Sequence, residues 1–459
     1  MENLYAVVLA AGKGTRMKSK KHKVLHPVCG KPMIDHILDM LSELGVKESV
    51  LVVGHNAEAV QEYVGDRARY AIQENQLGTA HAVMQAESIL ADQEGITLVL
   101  NGDHPLFTPE TMEDLVKHHR ETQAAATILT AVFEDPAGYG RIIRNEDHSV
   151  DRIVEHKDAS EEERKVKEVN TGTFCFDNRK LWQALTKVGN DNAQGEYYLP
   201  DVIGILNEEG ERVSARPIQD AGEALGVNNR VQLAEAEKQM RKRILLKHMM
   251  NGVTIIDPDN TYIDAEVVIG PDTVIHPGTF LRGKTQIGED CTVGPHADLT
   301  DIAVGDGTSI SHSFLKGSEI LAEATVGPFS YIRPGTHMGE KSKVGAFAEL
   351  KNTRLGEGSK VPHLSYAGDA DIGKGVNFSC GAITVNYDGI NKHRTTVEDG
   401  AFVGCNVNLV APVRVGKGAY VAAGSTVTDD VPEEALAIAR ERQTNKEDYA
   451  KKLKDRLSK

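Results

Sequence analysis

The chain has 459 residues, with 52 Lys and Arg against 67 Asp and Glu (net charge −15) and only 5% aromatic residues. That length allows two or three domains, and 40% hydrophobic with 26% charged residues excludes wholesale disorder and a coiled coil. The acidic balance argues against a broad nucleic-acid surface, which would need many Lys and Arg to neutralise phosphates, but leaves room for local basic pockets that bind small anions.

Leu4 to Ala11 is apolar, about the length of a signal-peptide core, but Glu2 stands where a cation is expected, so the stretch reads as a first buried strand. No apolar run approaches the roughly 18 residues of a membrane span, so no membrane insertion is expected. Cys29, Cys175, Cys291, Cys380 and Cys405 are odd in number, far apart and free of any CxxC pair. They read as free thiols of a reducing, cytoplasmic compartment.

Leu4–Leu9, Val50–Val53 and Ile96–Leu100 are short continuous aliphatic runs, the pattern of parallel strands covered on both faces. Met33, Ile34, Ile37, Leu38, Leu41 and Leu44 lie between them at helical spacing before Gly45, and Ala80, Val83, Ala86, Ile89 and Leu90 repeat that pattern. The alternation predicts an α/β domain with a mainly parallel, Rossmann-like sheet whose ligands sit beyond the strand carboxyl ends.

Two features occupy such ends. Leu9-Ala10-Ala11-Gly12-Lys13-Gly14-Thr15-Arg16-Met17 is a small-residue loop with two cations, followed by the basic stretch to Lys23. Backbone N–H groups in such a loop can approach phosphate oxygens while Lys and Arg offset their charge, although a plain tight turn has the same composition. Asn101-Gly102-Asp103 sets a carboxylate just past a buried strand, as a metal ligand or as a helix cap. Further on, Arg230 to Met249 lacks Pro and Gly and spaces Leu233, Ala236, Met240, Ile244 and His248 as a helix of about 30 Å.

From Ile269 onward the period changes. Ile269, Ile275, Leu281, Ile287, Val293 and Leu299 recur every sixth position, and the register returns at Val326 and again at Val397. A six-residue period fits no helix face, and sustained over this length it predicts about ten coils of a parallel β-helix. The rhythm breaks between Leu299 and Val326, between Leu350 and Ile372, and at Asn386 to Thr396. Breaks in a solenoid become loops, so Tyr387 to His393 is a candidate site wall. Gly278 to Thr285 satisfies the Walker A expression, yet Leu281 and Ile287 stay in hexad register, which excludes a phosphate loop opening a helix.

Leu9–Met17, Gln73, Gln76–His81, Asn101–Asp103, Gly138–Arg141, Glu155–Lys157, Asn170–Gly172 and Gly226–Asn229 resemble sugar-1-phosphate nucleotidyltransferases. With Val361–Tyr366 and Asn386–Gly389 in a hexapeptide-repeat half, the whole chain resembles the bacterial bifunctional N-acetylglucosamine-1-phosphate uridyltransferase/glucosamine-1-phosphate acetyltransferase family. The resemblance implies a left-handed β-helix and a division into residues 1–229 for uridyl transfer, a 230–250 linker helix, 251–437 for acetyl transfer, and a charged 438–459 tail. It also implies a homotrimer that supplies UDP-N-acetylglucosamine for cell-wall synthesis. UTP and acetyl-CoA would be co-substrates and Mg²⁺ the cofactor.

For the first site the resemblance places UTP on Leu9, Ala10, Ala11 and Gly12, with Arg16 and Lys23 on its phosphates and Gln73, Gly78 and Thr79 around uracil. It places the sugar at Gly140, Glu155 and Asn170, and Mg²⁺ on Asp103 and Asn228. For the second it implies His363 as base, Arg333, Lys351, Tyr366 and Asn377 on the sugar phosphate, Asn386 and Tyr387 at the acetyl end, and Ala423 and Arg440 on coenzyme A. Cys380 and Cys405 stand in that acetyl-CoA site where Ala and Ser are common in the family, and a thiol is a weaker donor than a hydroxyl. A β-helix that only supports or regulates a one-activity sugar nucleotidyltransferase is the alternative reading, against which His363 and Asn386 speak.

Overall fold

The computed structural model describes residues 3–54 and 57–458. By internal contacts the chain divides into two compact units, Met1–Lys242 and Arg243–Lys459. The division falls within a single 21-residue helix, Arg230–Met250.

The first unit is built on a twisted sheet ordered Val213–Pro217, Ala126–Val132, Glu168–Asp177, Ile96–Asn101, Leu4–Ala10, Glu48–Val53, Arg69–Ile72. All neighbours run parallel except Glu168–Asp177, which is antiparallel to both of its partners. Leu4–Ala10 sits near the middle, paired with Glu48–Val53 on one side and Ile96–Asn101 on the other. Its aliphatic run is explained by that position: Ala6, Val7 and Val8 are buried on both faces. The loops after Ala10 and Asn101 leave adjacent strands at the same edge of the sheet, which is how the two candidate segments come together.

The expected helix from Ala80 to Leu90 is two pieces, Thr79–Met84 and Glu87–Leu90. The Gln85 side-chain amide donates to the His81 carbonyl (2.8 Å), while its backbone N–H turns to Ala82 (3.2 Å). A side chain has taken the carbonyl that would have continued the helix. The Met33–Glu43 helix ends as read, with Gly45 at φ +75° just beyond it.

Helix Pro109–Thr122 lays His119 against the sheet, where Nδ1 meets Thr127 Oγ1 at 2.9 Å. Burial lowers the His119 pKa from 6.5 to about 4. The imidazole stays neutral in the folded chain through the range where the unfolded chain protonates it, so its stability contribution is full above pH 6.5 and is lost as pH falls toward 4. That loss reaches roughly 3 kcal/mol. A plot of Tm against pH should fall over this window and flatten there in His119→Gln, and an unchanged slope would count against the assignment.

The second unit is a left-handed parallel β-helix of three sheets with 11, 10 and 9 strands, each strand hydrogen-bonded to its equivalent one coil away. One column of its core runs Ile275, Val293, Ile310, Val326, Val344 and Val361, and all six are buried. Aliphatic side chains of similar volume stack here, and the column continues through one buried aromatic, Phe378. Leu281 pairs in register with Leu299, and Thr279–Arg282 is an ordinary strand of the stack, so Gly278–Thr285 opens no helix.

The breaks in the hexad rhythm are of two kinds. Most coils place partners 18 residues apart, as Ile275 and Val293, but Val293 pairs with Ile310 and Ile310 with Val326. Between Leu299 and Val326 the break is therefore a corner shortened by one or two residues, and the Leu350 to Ile372 break is of the same kind, with Val344 opposite Val361. Neither carries an inserted loop, which corrects the expectation. Only the third break is an insertion: Phe378 pairs with Val403, 25 residues on, and Asn386 to Arg394 bulges out between them. The charged tail contains a fully exposed helix, Tyr449–Leu457. No helix among the described residues is long and apolar enough to cross a membrane.

Candidate active sites

In the first unit a cleft of about 390 Å³ opens over the strand ends. Leu9, Ala10, Ala11, Gly12, Lys23, Gln73, Gly78, Thr79, Asp103 and Asn228 all line it. Gly78 has φ +117°, and a Cβ there would lie 2.4 Å from the Tyr197 carbonyl, so the wall closes only with glycine. The neighbouring Gln73 amide is fixed by its bonds to the Gly78 carbonyl (3.1 Å) and His81 Nδ1 (3.0 Å). Thr79 Oγ1 accepts from the Leu199 N–H at 2.9 Å.

Opposite that wall stands a charged group. Lys23 Nζ pairs with the Asp103 carboxylate and donates to Asn228 Oδ1 at 2.7 Å, and Arg16 donates to the same Asn228 oxygen at 2.8 Å. Burial works to raise the Asp103 carboxyl; the His104 ring and the Lys23 ammonium work the other way and prevail. Burial holds His104 itself below its ordinary value. With that ring neutral, Lys23 is the charge Asp103 meets.

This arrangement tests whether the site suits a divalent ion. A carboxylate and an amide oxygen from two distant segments already converge on one cationic atom, Lys23 Nζ. Hard oxygen donors in that number suit Mg²⁺, which keeps several waters and takes few protein ligands. Among the described residues no cluster of three or more His, Cys, Asp or Glu could hold a metal by itself.

A second cavity of about 200 Å³ shares Leu9, Thr79, Asn101 and His104 with the first and is lined by Gly140, Glu155 and Asn170. Burial, reinforced by Asp158 and Asp201, raises the Glu155 carboxyl above its usual range. Asn170 Oδ1 accepts from the Gly172 N–H at 2.8 Å, which leaves its amide hydrogens for a ligand. The two joined cavities make a long compartment beside a shorter one, with the charged group next to their junction.

In the second unit His363 is exposed at a corner of the β-helix, just after Pro362. Bonds from Gly381 N–H to the His363 carbonyl (3.2 Å), Asn406 to Cys380 (2.9 Å) and Gly424 to Cys405 (2.8 Å) stack four coils in register. His363, Cys380, Cys405 and Ala423 therefore occupy the same corner position on successive coils. Arg440 joins this column from the chain end, its Cδ 3.7 Å from where a Gly424 Cβ would lie. Cys380 is half-buried and Cys405 exposed, and both are free thiols.

The sheet that leaves this corner carries Tyr366, Arg333 and Lys351. Arg333 donates to Glu349 (2.8 Å), and Asn386 Nδ2 reaches Asp369 Oδ2 (2.6 Å) and the Tyr366 hydroxyl (3.5 Å). Asn377 is not part of this group; it lies on the sheet that enters the corner. Tyr387 projects from the inserted loop, 56% exposed, its hydroxyl donating to the Gly389 carbonyl and its backbone bridging to Lys392. The loop also brings in Lys392, and the closeness of this second amine lowers Lys351, against the pull of Asp369. Lys392 and Asp369 went unassigned in the sequence, where Lys392 was one of two loop cations and Asp369 one of many acids in a shortened corner. Arg333, Lys351 and Lys392 thus bring three cations to this face, where Arg333 pairs with Glu349 and Lys351 lies 4.0 Å from Asp369.

Residues 5–223 match the nucleotidyl transferase family, residues 266–301 the bacterial transferase hexapeptide (six repeats), and residues 394–429 the hexapeptide repeat of succinyl-transferase. The "Bifunctional protein GlmU" of Brevibacillus brevis is 61% identical over 453 residues, 99% of this chain and 98% of the relative. The proteins of the same name from Geobacillus sp. (strain WCH70) and Bacillus subtilis (strain 168) are 60% and 58% identical, each covering 99% of both chains.

Proposed function

Since this chain belongs to the family of the bifunctional GlmU proteins, we propose that its two units catalyse successive steps toward UDP-N-acetylglucosamine, a cell-wall precursor. It is a bifunctional enzyme, a nucleotidyltransferase joined to a hexapeptide-repeat acetyltransferase. We assign 1–229 to uridyl transfer, 230–250 to the linking helix, 251–437 to acetyl transfer and 438–459 to a tail. The observation that carries this reading is that one unit holds a cleft of about 390 Å³ lined by Lys23, Asp103 and Asn228 and the other an exposed corner histidine, His363.

Acetyl transfer comes first. The amine of glucosamine-1-phosphate attacks the thioester carbon of acetyl-CoA, His363 takes the amine proton, and coenzyme A leaves as its thiol. Arg333, Lys351 and Lys392 hold the phosphate, with Tyr366 and Asn377 on the sugar. Asn386, kept in place by Asp369, stands at the acetyl end beside Tyr387. Cys380, Cys405, Ala423 and Arg440 form the corner wall for coenzyme A.

In the uridyl step a phosphate oxygen of N-acetylglucosamine-1-phosphate attacks the α-phosphorus of UTP in line, and pyrophosphate leaves. No protein nucleophile is needed, because positioning and charge compensation supply the catalysis. The Leu9–Gly12 backbone and Lys23 and Arg16 receive the phosphates, Gln73, Gly78 and Thr79 the base, and Gly140, Glu155 and Asn170 the sugar. Asp103 and Asn228 would hold Mg²⁺, which when bound neutralises charge on the leaving pyrophosphate. The Lys23 ammonium then passes from Asp103 to a phosphate oxygen.

The full chain is expected to be a cytoplasmic homotrimer with coenzyme A held between neighbours. Asn377 on one sheet and Tyr366 on the next support this, since one corner would then serve two copies. Glucosamine-1-phosphate, acetyl-CoA, UTP and Mg²⁺ together should release free thiol and pyrophosphate in equal amounts, and sedimentation should give three times the 49.9 kDa chain mass. Pyrophosphate release without thiol release would favour the one-activity reading.

A further inference from the structure

The turn that presents Asp103 also presents His104, which the preceding account leaves without a role. Its ring is 7% exposed and packs against Phe107 with centroids 5.7 Å apart, so it has little freedom to turn away. It lines both cavities of the first unit, at the place where they join. Nδ1 is buried without a hydrogen-bond partner, and Nε2 faces Asp103 Oδ1 at 3.6 Å. A Cβ on Gly226 would lie 2.5 Å from Nε2, so glycine at 226, two residues before Asn228, is what lets the ring stand beside both cation-binding segments.

Two donors on one octahedral ion with bonds of about 2.1 Å are about 3.0 Å apart when adjacent and about 4.2 Å when opposite. The 3.6 Å between His104 Nε2 and Asp103 Oδ1 is about 0.6 Å longer than the adjacent spacing, so the two groups must close by that much to share an ion. We propose that His104 is a nitrogen ligand of the divalent cation held by Asp103 and Asn228, so that this site favours a later first-row ion such as Co²⁺ relative to Mg²⁺. The inference rests on the assignment of Asp103 and Asn228 given above. Oxygen donors suit Mg²⁺, whereas an imidazole adds affinity along the series from Mn²⁺ to Co²⁺ and Ni²⁺ and adds little for Mg²⁺.

The test uses the full chain with UTP and no sugar phosphate, so that nothing turns over. Mn²⁺ bound to this complex should show ¹⁴N imidazole modulation in pulsed electron paramagnetic resonance, and His104→Ala should lose it while Asn228 and its amide remain. Calorimetric titration should show Co²⁺ binding weakened about tenfold or more in His104→Ala, with Mg²⁺ binding within about twofold. An unchanged first-unit melting transition shows that the variant is folded where His104 lies, and the signal of the unaltered protein does not depend on any variant. Bound Mn²⁺ without nitrogen modulation, or equal weakening of Co²⁺ and Mg²⁺, would overturn the role of His104 alone. Absence of bound Mn²⁺ from the unaltered complex, or its retention in Asp103→Ala, would overturn the proposal together with the cation assignment.

Discussion

His363→Ala should lower acetyl transfer by about 10²–10⁴, the usual cost of losing a general base, and leave uridyl transfer from ready-made N-acetylglucosamine-1-phosphate unchanged. The residue is exposed on a backbone corner whose register is fixed by main-chain bonds, so the substitution removes chemistry without removing support. Arg333, Lys351 and Lys392, proposed to hold the phosphate, are untouched, so binding of the sugar phosphate should change much less than turnover. Thiol release followed at several substrate concentrations separates the two. Acetylation at the unaltered rate would show that His363 is not the base.

Asp103→Ala should abolish uridyl transfer while acetyl transfer continues. The change does more than delete a ligand, because it leaves the half-buried Lys23 ammonium with the Asn228 oxygen as its partner. Phosphate would still be attracted to that freed cation, so UTP affinity should hold up better than turnover, which needs the leaving charge compensated. Pyrophosphate release at several UTP concentrations measures both quantities. Near-normal release would exclude Asp103 from the reaction.

Much of this architecture is legible in the chain. The six-residue period survives because each inward aliphatic must stack on its equivalent one coil away, a constraint every coil repeats. Leu4–Ala10 and Ile96–Asn101 are legible for a similar reason, since a strand covered on both faces is apolar throughout. What the sequence conceals depends on contacts distant along the chain. The shortened corners look like inserted loops in the hexad pattern because removing one or two residues and adding seven disturb the period alike, and only strand pairing separates them. Gln85 splits a helix by a side-chain bond that periodicity does not encode. Lys392 acquires its significance from Lys351, and His104 from Gly226, residues that stand next to one another only after folding. The column of His363, Cys380, Cys405 and Ala423 is likewise created by coil stacking.

The account's central claim is that one chain carries two independent active sites and that the acetylated sugar phosphate passes between them through solvent. An equal mixture of His363→Ala and Asp103→Ala, supplied with glucosamine-1-phosphate, acetyl-CoA, UTP and Mg²⁺, tests it most directly. Neither variant alone should make UDP-N-acetylglucosamine at more than a small residual rate. The mixture should make it after a lag in which free N-acetylglucosamine-1-phosphate accumulates. If the mixture stays as inactive as its components although each retains its own half-reaction, transfer through solvent is contradicted; if either substitution silences both half-reactions in folded protein, so is the independence of the two sites.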